Sequence, residues 1–208
     1  MTRWDRSKAA AGSLDITAGS LSGSGSFCAD GLASDANSVL SGAGGRIAIH
    51  LTDDDATFDN FDVTKITADA AMSLGKPELA GSAGTVYLEA GEAGTGTVVV
   101  KSTNSAVKTP TPIPSQTWGG EMDDLKAASL SVQSYGIVRL TASLKMAALT
   151  VGTNAKLDLN GKTLTVNTAV LGGAKLKPGT YAASDYPDFL TGEGSLVVKG
   201  SGMLLLVR

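Results

Sequence analysis

Histidine and cysteine are almost missing from this chain: its 208 residues include one of each, His50 and Cys28. Zinc fingers, disulfide scaffolds and most histidine-ligated metal centres need several such residues and are excluded. A Ser-His-Asp hydrolase would have to use His50 itself. Prolines number 6, aromatics make up 5% and charged residues 18%, which excludes collagen, coiled coils and charge-rich disordered tails. Lys and Arg (17) are outnumbered by Asp and Glu (20), for a net charge of -3. That balance suits neither nucleic acid nor an anionic lipid surface, both of which need clustered Lys and Arg. The longest apolar run, Met203 to Val207, is far short of the ~20 residues of a membrane span, so no membrane insertion is expected. Arg3, Arg6 and Lys8 are followed by no apolar run, so no secretory leader is read there.

Glycine, by contrast, is abundant at 26 residues, and it recurs at matching places. Gly12-Ser-Leu-Asp-Ile16, Gly45-Arg-Ile-Ala-Ile49 and Gly84-Thr-Val-Tyr-Leu88 each place apolar residues at alternate positions behind a glycine, 33 residues apart (12 to 45) and then 39 (45 to 84). Period-2 alternation predicts strands with one buried face. A second short strand is expected in each unit, at Ser26–Ala29, Lys65–Ala68 and Thr97–Val100. An isolated pair cannot bury its apolar face, but stacked copies can. Leu14/Ile16, Ile47/Ile49 and Val86/Leu88 are the expected inward pairs. Ile49→Asp is therefore expected to destabilise severely, and His50→Ala, on the opposite face, to be tolerated. Cys28, between Phe27 and Ala29, is read as a small buried hydrophobe.

Thr109-Pro-Thr-Pro-Ile-Pro114 lacks amide donors at three alternate positions and favours an extended path. It is the expected boundary, with Glu121–Ala128 predicted as a short helical turn after it. From Ser129 the units shorten: Leu130–Val132, Ile137–Leu140, Leu149–Val151, Leu157–Leu159, Leu164–Val166 and Ala169–Leu171, with steps of 8 and 7 residues through 149, 157 and 164. Asn160-Gly161 is a tight-turn pair that suits a hairpin as well as a solenoid corner. Ser195–Val198 and Met203–Val207 are read as closing strands. The domains expected are 1–106, a linker 107–128, and 129–208.

Candidate chemistry is sparse. Asp53, Asp54 and Asp55, with Asp59 and Asp62 nearby, offer the carboxylate oxygens that calcium takes, but the spacing lacks a calcium-loop signature and fits a solvated loop. Asp15, Glu89, Arg46 and Lys65 project from strands, and nothing in their spacing brings any two together. His50 is read as a surface strand residue. Trp4, Trp118, Tyr135, Tyr181 and Tyr186 have the flat faces that sugars stack on, but they are scattered and fit the packing of loops and caps. No catalytic residue and no cofactor site is assigned, calcium being the one cofactor with any ligands on offer.

Gly42-Ala-Gly-Gly-Arg-Ile-Ala-Ile49, Ile66-Thr-Ala-Asp69 and Gly81-Ser-Ala-Gly-Thr-Val-Tyr-Leu88 resemble the glycine-rich repeats of large secreted bacterial β-helix proteins, including adhesin-like ones. Leu149 to Val166 resembles an autotransporter-associated β-strand repeat. Gly179-Thr-Tyr with Gly192–Val198 is similar to the segment that often ends such proteins. The resemblance covers about residues 12 to 200. It implies an all-β fold, a right-handed parallel β-helix whose shorter-rung C-terminal region extends or caps it. It also implies an extracellular or cell-surface setting, as part of a larger precursor, and a non-enzymatic structural role. The partners it suggests are surface glycans, other surface proteins, or further copies associating end to end. The rival expectation is a carbohydrate-active β-helix enzyme or its polysaccharide-binding accessory domain, because such enzymes share the scaffold.

Overall fold

The computed structural model describes residues 10–32, 41–71, 80–114 and 125–199. The protein is all-β. Its strands in chain order are β1 (Ser13–Ala18), β2 (Phe27–Cys28), β3 (Arg46–Leu51), β4 (Ile66–Thr67), β5 (Thr85–Ala90), β6 (Thr97–Ser102), β7 (Thr111–Ile113), β8 (Ser129–Ser134), β9 (Ile137–Leu140), β10 (Leu144–Val151), β11 (Lys156–Asp158), β12 (Lys162–Leu171), β13 (Ala174–Lys175), β14 (Gly179–Tyr181), β15 (Leu190–Thr191) and β16 (Gly194–Val198). Single 3-10 turns lie at Val63–Lys65 and Ala183–Asp185. No helix among the described residues is long and apolar enough to cross a membrane.

Ten strands form one open sheet in the order β1-β3-β5-β6-β8-β10-β12-β16-β14, with β13 attached to β12; a second sheet runs β15-β11-β9-β7, and β2 pairs with β4. The large sheet is mixed. Its pairs are parallel except β5–β6, β12–β13 and β14–β16. From β6 to β12 the chain alternates between the large sheet and the four-stranded one, and from β8 on each strand pairs in parallel with the strand two before it.

The glycine-headed segments meet in the register their alternation demands: Leu14 lies beside Ile47 and Ile47 beside Val86, while Ile16, Ile49 and Leu88 form the next column. Ile47 and Ile49 are fully buried, but Leu14 is 38% exposed, because β1 is the outermost strand of its sheet. The glycines themselves are required by close approach. A Cβ on Gly45 would come within 2.0 Å of the Gly12 carbonyl oxygen, and one on Gly84 within 1.9 Å of that of Gly45. No side chain fits between backbones stacked this tightly.

Two dry interiors result, on opposite faces of the large sheet. Ile47, Ile49, Leu51 and Val86 pack with Ala29, Phe61, Ile66 and Ala68 on one side. Val98, Val100, Leu130, Val132, Leu149, Val151, Leu164 and Leu196 pack against Ile113, Val138, Leu140, Leu157 and Leu190 on the other. The change of face falls at the β5–β6 pair, where Tyr87 sits opposite Val98 and Val86 opposite Val99. Val98 belongs to the second interior, while Val99 packs on the first.

That junction corrects the third repeat. Thr97–Val100 was expected to match Ser26–Ala29 and Lys65–Ala68, and those two do pair with each other as β2 and β4. β6 instead folds back antiparallel onto β5. The connection 91–96 is short, with positive φ at Gly91 and Gly94, and reverses the chain before it can cross to the small sheet. The segments 1–106 and 129–208, expected as separate units, thus share one sheet through β6 and β8.

Other expectations are met only in part or differently. Part of the expected linker is built in, as β7 pairs in register with β9 and Val107 is buried with Ala70 and Ala80. The expected helical turn is seen only at its end, where Ala128 N–H donates to the Leu125 carbonyl; residues 121–124 lie outside the described residues, as does the expected strand Met203–Val207. Asn160 and Gly161, both at positive φ, join β11 to β12, which lie in different sheets, so this pair makes a corner and not a hairpin. Leu164–Val166 and Ala169–Leu171 are one strand, β12, in which buried positions step by three between Val166 and Ala169; β10 does the same between Met146 and Leu149. Finally, Cys28 is exposed, because the alternation turns Phe27 and Ala29 inward.

Candidate functional site

The outward face of β1, β3 and β5 carries the polar side chains that the alternation leaves over. In register across the three strands lie Ser13, Arg46 and Thr85; then Asp15, Ala48 and Tyr87; then Thr17, His50 and Glu89. Because β6 turns the opposite face toward the second interior, this polar face ends against Val98, Pro112, Ile113, Pro114 and Leu125. The two walls enclose a cleft of about 470 Å³, within the size range of small-ligand sites. A second hollow of about 210 Å³, walled by Gly44, Gly45, Gly84 and Ser82, adjoins it and shares Arg46, Thr85 and Pro112.

Glu89 anchors one end. It is buried, and its two oxygens take three donors: His50 Nδ1 at 2.9 Å on Oε1, and the Tyr87 hydroxyl at 2.5 Å and Gly94 N–H at 2.6 Å on Oε2. Burial works to raise the Glu89 carboxyl, but the hydrogen bonds from His50, Tyr87 and Gly94 outweigh it, and the group sits below its ordinary 4.5. Tyr87 is pushed up to about 12, by burial first and then by its hydrogen bond to the Glu89 carboxylate. Its oxygen also accepts from Gly96 N–H at 3.2 Å, and its ring lies 5.5 Å from the His50 ring. Since the carboxylate accepts, Nδ1 of His50 carries the proton and Nε2 is left over. Asp15 Oδ1 stands 3.8 Å from Nε2.

Thus the structure brings together Asp15, His50 and Glu89, three residues with no local sequence signal for their meeting. Arg46 lies at the other end of the same cleft, whereas Lys65 is elsewhere, with Nζ donating to the Ser24 carbonyl at 3.0 Å. Reading His50 as a surface residue missed its buried partner. The signal was present in the aligned repeats: stacking Gly45 on Gly84 puts His50 beside Glu89.

Asp53, Asp54 and Asp55 are exposed in the turn after β3. Among the described residues no group of three His, Cys, Asp or Glu side chains converges to hold an ion. The neighbouring carboxylates serve the loop: Asp59 accepts from the Thr57 hydroxyl, and Asp62 accepts from the Thr64 hydroxyl and N–H. The bond from the Thr64 hydroxyl is the main reason Asp62 lies below its ordinary value. Asp69, just after β4, ties that segment to β6, accepting from the Ser102 hydroxyl at 2.7 Å and Thr103 N–H at 2.8 Å. Of the aromatic residues, Tyr181 and Tyr186 meet edge-on with ring centroids 5.6 Å apart and pack on the second interior; Trp4 and Trp118 lie outside the described residues. Tyr87, not singled out for sugar stacking, is the aromatic in the cleft.

Compared with protein-family models, curated proteins and solved structures, the chain matches none of them.

Proposed function

We propose that this chain is a β-solenoid module, a right-handed parallel β-helix continued by a shorter-rung β region, serving as a structural, adhesin-like part of a secreted or cell-surface protein. It does no chemistry of its own. One observation carries the reading: from β6 to β12 the chain passes alternately between two facing sheets, and each pass pairs in parallel with the previous one. Such winding yields a stiff body whose length follows rung number, at about 4.8 Å per rung. Its outer face is free to carry contacts. The antiparallel strands β13 and β14 cover backbone that would otherwise invite edge pairing.

The test is small-angle X-ray scattering of the purified chain with a reducing-end assay over a polysaccharide panel. An elongated particle and no new reducing ends are expected. A globular scattering profile overturns the solenoid, and release of reducing ends overturns the non-enzymatic role in favour of a carbohydrate-active β-helix. Light scattering over a concentration series measures end-to-end association.

A further inference from the structure

We propose that the cleft between the outward face of β3 and β5 and the Pro112–Pro114 wall is a binding site for an acidic saccharide, in which one carboxylate-bearing ring seats on Arg46 and a neutral ring extends toward His50. The inference stands apart from the solenoid reading, because a structural rod needs no such site.

Three features select this ligand class. The first is charge polarity along the cleft. Arg46 and His50 project from the same face of β3, four residues and therefore about 13 Å apart. Arg46 is exposed and makes no side-chain hydrogen bond or ion pair among the described residues; its neighbours in register, Ser13 and Thr85, are uncharged. Its guanidinium is thus free to take a carboxylate through two parallel hydrogen bonds. The opposite end carries Glu89 and Asp15 around His50, which repel a second carboxylate. A ligand acidic at one end and neutral at the other matches both.

The second feature is amphipathic walls. Arg46, Thr85, Tyr87 and His50, with Val98 paired beside Tyr87, line the sheet side, and Pro112, Ile113, Pro114 and Leu125 the other. A sugar ring offers hydroxyls at its edge and C–H groups on its face, and so satisfies both walls at once. His50 lines the cleft, and its Nε2, which Glu89 leaves unbonded by engaging Nδ1 and which lies 3.8 Å from Asp15 Oδ1, is the hydroxyl partner.

The third feature argues against a peptide strand. The cleft floor is formed by β3 and β5, each paired on both sides, so no free backbone ladder is offered there. The free edge of β7 carries Pro112, which has no N–H to donate to an added strand.

The test is calorimetric titration with sialyllactose and with the glucuronate–N-acetylglucosamine disaccharide of hyaluronan. Lactose, trigalacturonate and glutarate serve as controls. Saturable binding of at least one of the first two is expected, weakened tenfold or more by Arg46→Ala and severalfold by His50→Gln, and unchanged by Lys145→Ala, which removes an exposed charge elsewhere. Thermal melts of each variant confirm that it folds. Absence of saturable binding of both probes at millimolar concentration overturns the proposal. So does equal binding of lactose, of trigalacturonate or of glutarate, which respectively deny the carboxylate, the polarity and the sugar. Binding unaffected by Arg46→Ala overturns the placement.

Discussion

His50 and Glu89 occupy paired positions on adjacent parallel strands, with Nδ1 and Oε1 2.9 Å apart. Thirty-nine residues separate them in sequence, yet they form the best-connected polar contact on the outer face of the first repeats. The buried carboxylate is satisfied only while its three donors stay in place.

Removing Glu89 therefore strands the Tyr87 hydroxyl and the Gly94 N–H. Both groups are only partly buried, so each costs about 1 kcal/mol when left unpaired, and Glu89→Ala is expected to lower the melting temperature by roughly 4–8 °C in a chain of this size. His50→Ala, expected from alternation alone to be silent, loses one of those hydrogen bonds and should cost about 1 kcal/mol. Ile49→Asp remains far worse, since it buries a charge in the first interior. A melt in which Glu89→Ala matches wild type removes the network from the stability of the fold.

The same network sets two limits of pH. Glu89 is depressed below 4.5 by its donors, so its contribution is present above the unfolded value and is lost as pH falls through the folded one, below about pH 4.5. Tyr87 is raised from 10.0 to about 12. Its neutral form is the one the fold holds, so its contribution is complete below pH 10 and disappears as pH rises toward 12. Urea midpoints measured at pH 8 and 11 should fall less between the two in Tyr87→Phe than in wild type; an equal fall contradicts the shift.

Glycine substitutions separate crowding from mere flexibility. Gly45→Ala drives a Cβ into the Gly12 carbonyl oxygen, whereas a Cβ at Gly12 meets nothing within 4 Å. Gly45→Ala is expected to destabilise by at least about 1–3 kcal/mol, and Gly12→Ala to stay within about 0.5 kcal/mol of wild type. Thermal denaturation of the two variants side by side makes the comparison. Equal melting temperatures contradict the close approach of neighbouring strands at these positions.

Leucine truncation maps the interiors. Leu157, fully buried between the sheets, should cost about 2–5 kcal/mol on conversion to alanine. Leu14, 38% exposed on the outermost strand, should cost under about 1 kcal/mol. Chemical denaturation that ranks Leu14→Ala above Leu157→Ala places the sheet edge wrongly.

Strands, their inward residues and the register of the glycine-headed units follow from local pattern, because period-2 alternation assigns each side chain a face and a glycine marks each place where backbones nearly touch. Ile47, Ile49 and the column Gly12, Gly45, Gly84 were legible for that reason. Pairing partners beyond the repeat were not. A six-residue connection after Ala90 decides that β6 returns antiparallel, and nothing in Thr97–Val100 distinguishes it from the short strands it resembles. That reversal moves the dry interior to the opposite face of the sheet and sets an apolar wall beside polar side chains that would otherwise face solvent. The cleft thus arises from contacts between segments distant in sequence, where the geometry of chain reversal outweighs local preference.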